Sequence, residues 1–270
     1  MSTLDDLWAR VRAGRLIPYV GPGVLAQCPG HALPADAAAL VARLTAKSPV
    51  PGKIKGKLTA AAQFIENFKH RKTLVTAMDL AFAETAAPSP LHRAIADAAP
   101  PLVVNLWYDD TLRQALKAAL PAGAWGEVQG LSQSEHFGRW TRAFDSAGQP
   151  LDAPDPAWRT LLYSPWGSRR PASNYLVSDS DFVEVLTEID IQTAIPAAVQ
   201  ALRAERGFLF LGCRFDDQLT RSYARQILKR SAGPHFAVLA SPLTRMEQRF
   251  VDELGITVLE DSLVAASAMA

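Results

Sequence analysis

Apolar positions along this chain repeat with two periods, and the alternation of those periods predicts the fold class. Apolar runs stand at 16–20, 102–104, 207–211 and 236–239, and at 256–259 with Thr257 inside it, bounded by glycine, proline or polar residues. Runs of that length, rich in β-branched and aromatic residues, read as strands buried on both faces. A further strand is expected at 160–163 and a short one at 175–177. Between them the spacing turns helical. Leu4, Leu7, Trp8 and Val11 recur at i, i+3, i+4 and i+7, which predicts a helix over 3–13 capped by Ser2 or Thr3. Further helices are expected over 35–46, 58–86, 90–98, 110–119, 180–189, 196–204, 216–229 and 243–253. Strands alternating with helices predict a mostly parallel α/β sheet. Residues 58–86 carry no strand signal and read as a helical insertion covering about 47–98. Residues 121–158 hold Trp125, Trp140 and Trp158 among glycine, proline and serine, and read as an irregular insertion with a hairpin-like turn at Asp145-Ser146-Ala147-Gly148. The expectation is one domain over 1–265, with a flexible tail at 266–270.

Two of the strands run into glycine. Leu16–Val20 leads to Gly21-Pro22-Gly23-Val24, and Gly207–Leu211 leads to Gly212-Cys213-Arg214. A glycine turn at the carboxyl end of a parallel strand lets the backbone approach a phosphate, and ligands of such sheets sit at those ends. The two turns are therefore expected to bracket one ligand.

Composition narrows the classes. With 49% hydrophobic and 20% charged residues the chain is of ordinary globular type, and its net charge of +1 gives no reason to expect nucleic acid. Lys47, Lys53, Lys55 and Lys57 cluster among prolines and glycines, as a solvated loop or an anion-attracting rim. Cys28 and Cys213 form no C-x-x-C spacing, so no metal site is expected. Absence of an apolar run near ~20 residues predicts no membrane contact. The Met-Ser-Thr-Leu-Asp-Asp start lacks a basic and apolar leader, so a cytoplasmic, reduced protein is expected.

Several segments, in order, resemble the sirtuin-like domain of bacterial NAD-consuming and defence proteins. Gly21-Pro22-Gly23-Val24 resembles that family's G-A-G-V-S loop, and Leu33-Pro34 its small-residue-Pro step. Pro101 through Leu112 is similar to P-x-V-x-T-T-N-Y-D-x-L-L, and Ser178–Phe182 to S-x-x-D-Y. Phe208–Asp217 resembles F-L-F-L-G-Y-S-L-x-D, and Leu254-Gly255-Ile256 the closing L-G-I. The resemblance spans roughly 10–260. It implies a Rossmann-like NAD-binding fold with an inserted helical module, and an NAD or ADP-ribose-like nucleotide as ligand. It places Gly21, Pro22, Gly23, Val24, Tyr108, Asp109, Gly167, Gly212, Cys213 and Arg214 around that ligand.

The family's chemistry rests on the Asn of N-Y-D and the His of L-H-G. Here Trp107 stands at the first position and Trp166 at the second. An indole donates one hydrogen bond but is no base near neutral pH. Asn105, two residues before Trp107 on the same strand face, and His31, after the first glycine turn, are the substitutes within reach. Pro22 removes one backbone donor from the turn, and Leu25 replaces a phosphate-contacting serine. Arg214 either grips a phosphate as a fork or forms a surface ion pair. The reading is thus a nucleotide-binding protein with impaired catalysis, acting as a sensor or an interaction subunit, with a protein partner or a second copy of itself. The alternative is an active NAD glycohydrolase of the defence type using Asn105 or His31. A deacylase ranks behind both, because two cysteines cannot build the four-cysteine zinc module of classical members. A dehydrogenase lacks the full G-x-G-x-x-G.

Overall fold

The computed structural model describes residues 3–190, 194–239, 242–259 and 263–268. Its strands are β1 (Leu16–Val20), β2 (Leu102–Asn105), β3 (Trp125–Gly130), β4 (Thr141–Asp145), β5 (Pro150–Leu151) and β6 (Thr160–Ser164). They continue with β7 (Gly167–Ser168), β8 (Asn174–Tyr175), β9 (Gly207–Leu211), β10 (His235–Val238) and β11 (Ile256–Leu259). Nine of them form one sheet in the order β11-β10-β9-β1-β2-β6-β3-β4-β5, parallel from β11 through β3 and antiparallel at β4 and β5. The small pair β7–β8 stands apart. The sheet is mostly parallel, as the alternating periods predict, and the α/β fold is Rossmann-like, as the resemblance implies.

Side chains on successive strand residues point to opposite faces, so each parallel strand feeds two cores. Ile17, Tyr19, Val104, Phe208 and Phe210 enter one; Leu16, Val20, Val103, Leu209 and Leu211 enter the other. Helices α1 (Leu4–Arg12), α6 (Pro90–Ala98) and α7 (Thr111–Ala119) cover the second face. The first face is covered by α3 (Ala37–Ala46), α4 (Leu58–Lys69), α5 (Arg71–Ala81) and α8 (Asp179–Asp190), together with α9 (Ala197–Arg203), α10 (Gln218–Leu228) and α11 (Arg245–Glu253). The single turn α2 (Pro22–Leu25) follows β1 directly. At about 25 cal/mol per Å² of apolar surface removed from water, each buried Phe of β9 stabilises the sheet by roughly 2–3 kcal/mol before entropy is counted.

Three local features differ from the sequence expectation. The continuous helix over 58–86 is two helices, because His70 takes φ 68° between α4 and α5. Residues 121–158 hold β3, an interior strand that the apolar pattern does not reveal. Gly126 stands there because a Cβ would lie 2.2 Å from the Trp158 ring, and Glu127 and Gln129 are buried in a polar network. The expected turn at Asp145–Gly148 joins β4 to β5, with Gly148 N–H donating to Asp145 O at 2.9 Å. Lastly, the expected frayed tail forms α12 (Leu263–Ala268), to which the Trp8 indole donates at Ala266 O, 2.9 Å away. Residues 269–270 of that tail, and Ser2 as a cap, lie outside the described residues; Thr3 caps α1.

Among the described residues no helix is long and apolar enough to cross a membrane.

Candidate functional site

β1 sits between β9 and β2, so the chain leaves it toward one side of the sheet and returns on the other. In open α/β sheets that reversal opens a crevice at the strands' carboxyl ends. Val20 is level with Leu211 on one side and Asn105 on the other, which brings three strand ends to one height. A cavity of about 530 Å³ lies there.

The two glycine turns meet at its base. Gly21 N–H donates to Leu211 O and Gly23 N–H to Gly212 O, both at 2.9 Å. A Cβ on Gly21 would lie 2.6 Å from Gly212 O, and Gly212 has φ +64° with its own Cβ position 2.6 Å from Val24 N. The glycines are thus needed for the turns to interlock. Two amides expected to cradle phosphate are spent on that contact, and Pro22 has none to give.

The wall is aromatic. Trp107, Tyr108, Trp166 and Phe182 line the cavity with Leu106, Phe215 and Leu219. Trp107 and Trp166 are 3% and 5% exposed. Trp107 Nε1 donates to Pro34 O at 2.7 Å, and Tyr108 Oη to Leu176 O at 2.7 Å. Ring centroids run from Trp107 to Tyr108 at 5.2 Å, Tyr108 to Trp166 at 6.2 Å and Trp166 to Phe182 at 5.3 Å, so the rings form one packed array. Trp166 Nε1 is buried and has no partner among the described residues.

The charges are few. Arg214 reaches the cavity with its side chain 47% exposed and pairs with Glu247, Nε to Oε1 at 3.1 Å. The ion pair, one of its two readings, is made with a buried Glu247, and the half-exposed guanidinium still borders the cavity. Asp36 and Asp217 cap α3 and α10, accepting from Ala39 N at 2.7 Å and Thr220 N at 2.8 Å. α4 also starts at the cavity, with Lys57, Leu58 and Thr59 on the wall, and its N-cap Lys57 offers no side-chain acceptor. Its first amides and the Lys57 ammonium make the most anion-friendly corner of the site. Burial pushes the Cys213 thiol and the Tyr108 phenol up from their ordinary pKa values, so both stay neutral.

Of the residues expected around a ligand, Gly21, Pro22, Tyr108, Cys213 and Arg214 line this cavity, together with Trp107 and Trp166. Gly23 and Gly212 form the turn beneath, and Val24 is core. Asp109 does not line the cavity. Its Oδ1 accepts from Thr111 N at 2.9 Å near the start of α7, and burial raises its carboxyl. Gly167 pairs with Tyr175 in β7–β8 instead. Neither proposed substitute reaches the cavity: Asn105 is buried with its amide donating to Trp107 O at 3.3 Å, and His31 Nδ1 is buried without a described partner. Among the described residues no histidine or asparagine lines the cavity. Residues that the sequence reading missed are Asp36, Lys57–Thr59, Phe182 and Phe215. Lys57 carries a signal as the last of the lysine cluster, and Phe182 and Phe215 lie in segments that resemble the family's motifs, whereas Asp36, Leu58 and Thr59 carry none.

The two cysteines are free, and each faces its own surroundings. Cys28 Sγ lies 3.7 Å from His92 Nδ1, which also meets Ser89 Oγ at 2.8 Å in the capping box of α6. Burial takes the His92 pKa down to about 4. Cys213 Sγ points to Tyr19 O at 3.5 Å. Among the described residues no group of three or more His, Cys, Asp or Glu could hold a metal ion.

A family model described as a SIR2-like domain matches residues 101–259, from the residue before β2 through β11. No curated protein sequence gives a significant match.

Proposed function

Because the chain belongs to the SIR2-like domain family, a family associated with nucleotide binding, we propose that its crevice binds a nucleotide of the NAD or ADP-ribose type without cleaving it efficiently. The observation that carries this reading is the pair Trp107 and Trp166, packed into the cavity wall where an amide and an imidazole would be needed. Indole cannot take a proton from ribose or water near neutral pH. Its bulk also claims the space of a nicotinamide ribose.

The rest of the cavity suits the adenosine half. Its volume falls within the range of small-molecule sites, and its apolar, aromatic lining offers faces for a purine. A diphosphate would find its best partners at the uncapped start of α4 and at Lys57, since the glycine turn has spent two of its amides. Such a protein acts by its occupancy, as a sensor or an interaction subunit, rather than by turnover.

The test is calorimetric titration with ADP-ribose and NAD beside a nicotinamide-release assay. The expected result is saturable binding of ADP-ribose, weaker binding of NAD and no appreciable nicotinamide. Rapid nicotinamide release would overturn the loss of cleavage, and no binding of either compound would overturn the nucleotide reading. Depletion of cellular NAD on expression, relieved by Asn105→Ala, would favour the glycohydrolase instead.

A further inference from the structure

A second concavity, of about 710 Å³, lies on the helical module between α3 and α5. Its lining is one-signed. Arg43, Lys47, Lys69 and Lys72 contribute positive charges, and among the described residues no Asp or Glu lines it; Thr73 and Thr76 also line it, their hydroxyls donating to Lys69 O and Lys72 O. Among the described residues Arg43 donates to the carbonyls of Ala32 and Ala81 and meets no carboxylate, which leaves its charge uncompensated. No carboxylate pairs with Lys47, Lys69 or Lys72 among the described residues.

Helix dipoles do not account for this. Arg43, Lys47 and Lys69 answer the C-terminal ends of α3 and α4, each equivalent to about half a negative charge. Lys72 stands instead in the first turn of α5, where a cation is unfavourable. That helix start has no side-chain cap, so it adds to the positive field. Most of the four charges therefore remain without a counter-charge.

We propose that this groove binds a compact polyphosphate anion, the triphosphate chain of a nucleotide or free inorganic polyphosphate. Its volume is that of a small-molecule site. A nucleic-acid strand is disfavoured, because no Phe, Tyr or Trp lines the groove for base stacking and the whole chain carries only +1. The groove is distinct from the crevice, and α4 joins the two. Its first residues line the crevice, and Lys69 at its last turn lines the groove. Over twelve residues that helix spans roughly 18 Å.

The experiment uses the full chain, with sodium tripolyphosphate and magnesium-free ATP titrated by calorimetry at low and moderate salt. A Lys47→Gln/Lys69→Gln/Lys72→Gln variant is run in parallel. All three side chains are exposed, so the variant is expected to keep its circular dichroism and, where ADP-ribose binds the crevice, its affinity for that probe. Tripolyphosphate should bind the parent with a submillimolar Kd, and at least tenfold more weakly to the variant or at raised salt. Equal affinities for the two probes assign recognition to the phosphate chain, and tighter ATP binding assigns it to a nucleotide source. Absent tripolyphosphate binding, binding untouched by the three substitutions, or stronger binding of an oligodeoxythymidylate per phosphate would overturn the proposal. Only binding that the three substitutions weaken is assigned to the groove, so ATP entering the crevice, whose lining they leave untouched, is told apart.

Discussion

Arg71→Met removes the charge that fastens the helical module to the sheet domain, and its cost follows from the geometry. Arg71 lies at the start of α5 and reaches three carboxylates: Asp181 at 2.8 Å, Glu135 at 3.0 Å and Glu66 at 3.3 Å. It also donates to Tyr175 O. The Asp181 side chain is 0% exposed and Arg71 only 12%. Removing one partner of a buried pair costs about 3–5 kcal/mol, because a charge is left uncompensated in a poor solvent. Asp181 keeps some support, since Val177 N, Ser178 N and Ser132 Oγ still donate to it at 2.9, 3.0 and 2.5 Å. Those bonds place the expected loss near the lower limit, about 3 kcal/mol. In a chain of this size that lowers Tm by roughly 6–12 °C. Urea unfolding of Arg71→Met, Asp181→Asn and the double variant measures the coupling directly. The double variant should be more stable than the two single losses added together. A loss below about 1 kcal/mol in Arg71→Met, with additive single variants, would refute the reasoning. Since Phe182 follows Asp181 and lines the crevice, ligand affinity should fall along with stability.

Burial holds the His92 pKa at about 4, against roughly 6.5 in the unfolded chain. As pH falls below 6.5 the unfolded state takes a proton that the native imidazole refuses. The resulting loss of stability grows to about 3 kcal/mol by pH 4. His92→Gln keeps the capping-box acceptor but cannot titrate, so urea curves from pH 7 to pH 4 should show a shallower fall, and parallel curves would contradict the argument. Gly212→Ala meets both a positive φ and the backbone of the facing turn, whereas Gly30→Ala, at φ +62°, meets nothing within 4 Å. The first should cost at least about 2 kcal/mol and the second about 1 kcal/mol. Equal losses in chemical unfolding would mean that the interlocked turns add nothing. Trp166→Ala should cost roughly 3–5 kcal/mol and narrow the preference for ADP-ribose over NAD. An unchanged preference in the titration would show that this indole does not close the nicotinamide side.

Strands that are buried on both faces announce themselves, and β1 and β9 occupy the spans that their apolar runs predict. β3 is hidden because only Trp125 and Val128 of its six residues are large and apolar, while its buried Glu127 and Gln129 are held by polar bonds. Glu127 pairs with Arg113 at 2.9 Å, and Gln129 donates to Ser168 Oγ at 2.7 Å. The break at His70 was equally silent, since positive φ in a non-glycine residue leaves no mark on the apolar pattern. At the crevice, residues adjoining the glycine turns were readable from sequence. Those arriving from the starts of α3 and α4 were not, because tertiary packing alone brings Asp36 and Lys57 to the ends of distant strands.

The central position of β1 has a consequence for where this domain can be cut. The family match begins at 101, yet the strand that bridges β9 and β2 is supplied by residues 16–20. Excising 101–259 would remove the keystone between two half-sheets, baring an unpaired edge on each and the apolar residues that face it. Such a fragment should aggregate on expression. Supplying residues 1–100 on a separate chain is the arrangement that could restore it.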